Sequence, residues 1–148
     1  MIGKLQYMFL FLILSACASG VELSKTDVLN EKIPSGESQI IVYRPSIFGA
    51  AIQPKVYVDN VETGQCQPQG VFIVKSGKGT HNISATTEVT KQLTIDVKPE
   101  ETAYVRCSIG FGLMTGRPEL TRVSNSVGEA EASNLKFTGV HCLPSSNC

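Results

Sequence analysis

The chain has 148 residues, with 13 basic and 13 acidic side chains, no net charge and 42% hydrophobic residues. This length accommodates one ordinary domain, and the apolar fraction excludes a disordered chain. The balanced charge excludes the simplest kind of nucleic-acid binder, which needs an excess of Lys and Arg to neutralise phosphates. We therefore expect no nucleic-acid partner.

The first 16 residues predict a secretory signal. They carry one Lys, an apolar run from Met8 to Leu14 and two small residues directly before Cys17. A membrane-spanning helix needs about 20 apolar residues, whereas this run is shorter and polar residues return by Glu22. Residues 1–16 are thus expected to be removed on export.

The four residues Leu14-Ser15-Ala16-Cys17 resemble the lipobox of bacterial lipoproteins. In that family the signal is cut just before the Cys, whose thiol forms a thioether with diacylglycerol because a thiol is a strong nucleophile. The resemblance implies a lipid on Cys17 and, because Ala18 follows, an outer-membrane location facing the periplasm. An ordinary secretory signal with a chance cysteine is the alternative.

The cysteine count agrees with lipidation. There are five cysteines, and an odd number in an exported protein leaves one thiol to explain. With Cys17 lipidated, the other four can pair in an oxidising compartment. Three pairings exist; we favour Cys66–Cys107 with Cys142–Cys148, whose short LPSSN loop can turn back on itself. A zinc site near His141-Cys142 is the alternative, but no C-x-x-C pair supports it.

The chain after Cys17 reads as a tether followed by short strands. Residues 17–37 are polar with little periodicity, and predict a flexible tether with a helical turn near Leu23 to Asn30. Apolar runs with period 2 then occur at residues 39–43, 54–59, 70–74, 80–85, 92–97, 102–111 and 119–123. About seven such runs predict an all-β, antiparallel β-sandwich over residues 38–135. Residues 128–135 predict a short helix, and residues 136–148 a disulfide-closed tail.

Four short motifs recur in a familiar order. They are IVYRP at 41–45, VYVD at 56–59, GKGTH at 77–81 and YVR at 104–106. In order and spacing they resemble an uncharacterised bacterial lipoprotein family with a domain of unknown function, over residues 38–135. The resemblance implies an envelope lipoprotein with a β-sandwich. We expect this sandwich to be like the prealbumin or carboxypeptidase-regulatory modules. It supplies no catalytic residue, because none is known for that family.

The sequence contains few motifs that would indicate a catalytic, metal-binding or phosphate-binding site. The sequence has no nucleophile elbow, zinc-protease or phosphate-loop pattern. His81, on an alternating run, is expected to be structural rather than a ligand. The glycine-rich 110–116 segment leads into Arg117-Pro118 instead of a helix, which predicts a surface loop rather than a phosphate cradle. Its Phe111, Leu113 and Met114 could form an apolar contact point. We expect no catalytic residue, metal or cofactor.

Tyr and Arg side chains suggest a binding surface. Tyr43, Arg44, Tyr57 and Arg106 alternate with core positions, and these residue types are frequent at binding hot spots. If their strands are neighbours, the four residues would share one outer face that contacts a partner; the alternative is that they merely cover a sheet. The sequence thus predicts a non-enzymatic binding or structural module with an envelope protein or glycan partner. A hydrolase or glycan-acting enzyme with an unrecognised site is the alternative.

Overall fold

A computed structural model describes residues 17–112 and 116–148, in which two β-sheets pack face to face. The strands are β1 (Glu37–Arg44), β2 (Lys55–Val58), β3 (Val61–Gln65), β4 (Gly70–Gly77), β5 (Gly79–Thr86), β6 (Thr90–Val97), β7 (Thr102–Gly110), β8 (Arg117–Val123) and β9 (Lys136–Cys142). Helix α1 (Asn125–Ala132) lies between β8 and β9, and a 3-10 turn (Leu23–Lys25) precedes β1. The predicted all-β sandwich is confirmed.

The five-stranded sheet has the order β8-β7-β1-β4-β9, and the four-stranded sheet has the order β3-β2-β5-β6. Most neighbours are antiparallel, but β1 pairs with β7, and β4 with β9, in parallel. In the described residues no helix is long and apolar enough to cross a membrane.

All seven predicted strands are present, and two further strands were not predicted. Strand β3 follows β2 through a tight turn in which Asp59 and Asn60 both adopt left-handed conformations, with φ of 51° and 67°. Strand β9 extends the sheet beside β4, so residues 136–142 are not a tail as predicted. Strand β7 ends at Gly110, one residue short of the predicted 102–111 run, and Phe111 is exposed.

Strand β1 is buried on both faces, which divides the core into two layers. Ile40 and Val42 point between the sheets, where they pack with residues such as Val56 and Val105. Ile41 and Tyr43 point the other way. There the second layer also contains Leu23, Val71, Ile73, Tyr104, Ala132 and Leu135. This outer layer requires a cover, and α1 together with the N-terminal segment supplies it.

The segment after Cys17 packs on the domain rather than extending as the predicted tether. The Ala18 amide donates to the Pro68 carbonyl at 2.9 Å, and the Leu23 amide donates to the Leu135 carbonyl at 2.9 Å. Leu23 is buried, and Val28 and Leu29 pack against the outer layer. The prediction was wrong because these widely spaced apolar residues show no periodicity, although they fit one sheet face.

Helix α1 docks through a glycine. A Cβ atom on Gly128 would lie 2.2 Å from Cγ of Tyr104, so the helix backbone rests directly on that ring. We expect Gly128→Ala to lower the free energy of unfolding by about 1–3 kcal/mol, since overpacking outweighs the better helix propensity of alanine. Urea denaturation measures the change. Ser126→Ala, on the exposed side of α1, is the matched control, and equal stability of the two variants would contradict this docking.

Candidate functional site

Arg44 lies at one end of the sandwich, with its side chain completely buried. Its Nη1 donates to the carbonyls of Ile52 at 2.7 Å and Cys66 at 2.9 Å, and its Nη2 to those of Phe48 at 2.6 Å and Gly49 at 3.0 Å. Burial lowers the pKa of Arg44. The guanidinium therefore ties the 45–54 loop to the chain at Cys66. We call this end of the sandwich the Arg44 end.

Cys17 is exposed at the same end. Ala18 bonds to Pro68, two residues beyond Cys66, and Gly70 pairs directly with Arg44 in the sheet. The first described residue of the chain therefore sits beside the loops that Arg44 organises.

Large apolar side chains are exposed at the Arg44 end. Ile47 is 61%, Phe48 50% and Phe111 88% exposed. The rings of Phe48 and Phe111 lie with centroids 5.1 Å apart, so the two loops meet. An open cavity of about 210 Å³ beneath them is lined by Ile52 and Ile109. We call Ile47, Phe48 and Phe111 the apolar tip.

The apolar tip overlaps only partly with the predicted contact point. Phe111 belongs to both, while Leu113 and Met114 lie outside the described residues. Ile47 and Phe48 were missed, although two consecutive large apolar residues between Pro45 and Gly49 are a recognisable signal of an exposed apolar loop.

Tyr43 and Arg106, on the sheet beneath helix α1, form hydrogen bonds with that helix. The Tyr43 hydroxyl donates to Oε2 of Glu131 at 2.6 Å, and Arg106 donates to both carboxylate oxygens at 2.8 Å. The hydroxyl of Tyr43 and the guanidinium of Arg106 lower the pKa of Glu131. Burial, with the bond to Glu131, raises the pKa of Tyr43 to about 12. These residues therefore hold the helix against the sheet.

The predicted common face of four contact residues is wrong. Arg44 follows Val42 on the inward face of β1, and Tyr43 lies beneath α1. Tyr57 is on β2, in the other sheet. Its side chain is partly exposed, beside Glu62 of β3 and Ser84 of β5. Contact between these residues and a partner stays a prediction. Of the four, Tyr57 is the residue whose position fits that role.

Comparison with known proteins identifies one relative. The chain is 30% identical over 135 residues to an uncharacterised protein of Haemophilus influenzae, and the match covers 88% of this chain and 80% of that protein. This chain belongs to the family of that Haemophilus protein. No family model matches it, and no solved structure matches it.

His81 is 4% exposed in this chain, at the sandwich end opposite Arg44. Its Nδ1 lies 2.7 Å from Oδ2 of Asp59, and its Nε2 2.8 Å from the Gly77 carbonyl. Both ring nitrogens thus have partners within the fold.

The four predicted disulfide cysteines pair as Cys66–Cys107 and Cys142–Cys148, which confirms the favoured connectivity. Cys66–Cys107 links the end of β3 to β7 and so crosses between the sheets. The zinc alternative is wrong, because the Cys142 sulfur is bonded to Cys148. Within residues 17–112 and 116–148, no group of three or more His, Cys, Asp or Glu residues could hold a metal ion.

Proposed function

We propose that this protein is a bacterial envelope lipoprotein, anchored through a lipid on Cys17 and acting without catalysis as a binding or structural module. The observation that carries the proposal is the state of the five cysteines. Four of them pair with one another, and Cys17 is left unpaired and exposed, directly after the lipobox-like Leu14-Ser15-Ala16. The leftover thiol is thus the one that the sequence pattern marks for lipidation.

The physical requirements of an anchored envelope protein agree with the proposal. Disulfides persist in oxidising compartments such as the periplasm. Each buried methylene contributes about 0.8 kcal/mol to membrane binding, so two or three acyl chains hold a protein firmly where one would not. We infer an outer-membrane anchor facing the periplasm, because Ala18 follows the cysteine.

The partner surface that we propose is the outer face of the four-stranded sheet, which we call the Tyr57 face. The five-stranded sheet is covered by α1 and the N-terminal segment, whereas this face presents Tyr57 among the polar side chains of Glu62, Asn82 and Ser84. Confinement to a membrane raises the effective concentration of such a face for envelope partners.

The anchor is tested by replacing Cys17. We expect Cys17→Ala to abolish labelling of the protein with radioactive palmitate, because the thioether acceptor is lost. Ser19→Ala, an exposed position two residues along, is the control and should label like the wild type. Labelling of the Cys17→Ala protein at the wild-type level would contradict the proposed anchor.

The Tyr57 face is tested by crosslinking in intact cells, followed by identification of the products. We expect Tyr57→Ala to weaken partner capture by about thirtyfold or more, because loss of an aromatic hot spot costs about 2 kcal/mol or more. Tyr57→Phe keeps the ring and should retain most of the capture. Products that are unchanged in identity and yield in the Tyr57→Ala protein would exclude this face.

A further inference from the structure

We propose that the apolar tip formed by Ile47, Phe48 and Phe111 inserts into the phospholipid surface that carries the Cys17 lipid. This inference rests on the proposed anchor and adds a second, protein-borne contact with the same membrane. The domain would then lie with its Arg44 end against the bilayer, instead of hanging from a flexible tether.

The short distance between Cys17 and the folded domain is the first argument. Ala18, the next residue, already donates its amide hydrogen to Pro68. One residue of chain spans at most about 3.6 Å. A lipid attached to Cys17 therefore brings the headgroup region to within a few ångströms of the loops at the Arg44 end. A membrane is the surface that the anchor itself places there.

The composition of the tip is the second argument. Isolated exposed apolar residues are ordinary in soluble proteins, but adjacent ones on two loops indicate a contact surface. Phe48 and Phe111 contact each other, and Phe111 is 88% exposed. Phe side chains are among the apolar residues with which membrane-surface segments insert just below the headgroups. The tip thus has the chemistry of a shallow membrane insertion.

The fixed shape of the tip is the third argument. The carbonyls of Phe48, Gly49 and Ile52 accept hydrogen bonds from the buried Arg44. These bonds hold the main chain of the loop, so its apolar side chains cannot fold back into the core without breaking them. The loop therefore keeps its apolar side chains at the surface.

Tryptophan fluorescence tests the insertion, since the natural chain contains no tryptophan. The lipidated full-length mature protein is prepared as Phe111→Trp and reconstituted into phosphatidylethanolamine and phosphatidylglycerol vesicles, with and without brominated acyl chains. We expect bromine to quench the emission by about half or more, because an inserted side chain lies roughly 5–10 Å below the headgroups. Phe48→Trp is a second probe of the tip.

Val61→Trp provides the matched control, because Val61 is an exposed apolar residue at the start of β3, at the far end of the sandwich. Bromine should leave its emission unchanged. If acylation is verified by mass and tryptophan at 111 is still quenched no more than at 61, the insertion is overturned while the anchor stands. Shielding from aqueous acrylamide without bromine quenching would overturn it in favour of a contact between copies of this chain, since the vesicles contain no other protein. Absence of acyl groups would overturn both proposals.

Discussion

Arg44→Met should lower the free energy of unfolding by about 3 kcal/mol or more, because hydrogen bonds to a charged donor contribute about 1.5–3 kcal/mol each and buried acceptors are costly to leave unpaired. Four main-chain carbonyls lose their donor in this variant. Methionine retains much of the apolar stem, so the lost hydrogen bonds dominate the change. Urea denaturation under non-reducing conditions measures it.

Arg117→Met is the control for Arg44→Met, because Arg117 is exposed at the start of β8. Exposed substitutions of this kind usually change stability by less than about 0.5 kcal/mol. If the Arg44 variant unfolded at the same urea concentration as the Arg117 variant, Arg44 would not organise the loops at its end of the sandwich.

The second large effect is expected from removing the disulfide between the sheets. Cys66 and Cys107 are 41 residues apart, and the chain-entropy model assigns such a loop about 4 kcal/mol of stabilisation. The Cys66→Ala, Cys107→Ala double variant should lose roughly that amount in thermal or urea denaturation. Both sulfurs are buried, so the loss of packing adds to the entropic effect.

The Cys142→Ala, Cys148→Ala double variant is the matched comparison, because its disulfide closes only 6 residues and the same model gives about 2 kcal/mol. Equal losses of stability in the two double variants would contradict the larger stabilisation expected from the disulfide that links the two sheets. We also expect the losses of stability caused by Arg44→Met and by the Cys66→Ala, Cys107→Ala double variant to be non-additive, since the Cys66 carbonyl accepts a hydrogen bond from Arg44.

Period-2 alternation was sufficient to predict the central strands, because their buried and exposed residues differ strongly in polarity. Strand β5, for example, buries His81, Ile83 and Ala85 and exposes the residues between them more fully. Strand β3 was missed because Thr63 is its only buried residue. Strand β9 is an exposed edge strand held mainly by main-chain pairing with β4, and main-chain pairing leaves no signature in the sequence.

The candidate site was only partly predicted from the sequence, because it was only partly known which strand residues face the core and which face solvent. Alternation over residues 102–111 predicts that Cys107 faces the core, where the structure has it. The short loop between Cys142 and Cys148 favoured the disulfide pairing that the structure shows, without excluding the other two. Alternation also places Arg44 on the inward face with Val42, but a buried cation without an acidic partner is unexpected from sequence, since burying a charge is normally costly. Glu131, which holds Tyr43 and Arg106, was missed because the contact joins residues far apart in the chain.

A lipid on Cys17, as proposed, would set the orientation of the fold relative to the membrane. Cys17, the buried Arg44 and the apolar tip lie at one end of the sandwich, while His81 and Asp59 lie at the other. The Tyr57 face runs between these ends, along the side of the sandwich. A domain anchored in this way would present that face laterally, to partners at the same membrane.

The mass of the N-terminal tryptic peptide from membrane-purified protein tests the proposed lipid anchor. Trypsin should release residues 17–25, because Lys25 is the first basic residue after Cys17. We expect this peptide to begin at Cys17 and to carry diacylglycerol on its sulfur and an acyl group on its amine. An unmodified Cys17, or a peptide that still contains residues of the 1–16 segment, would contradict it.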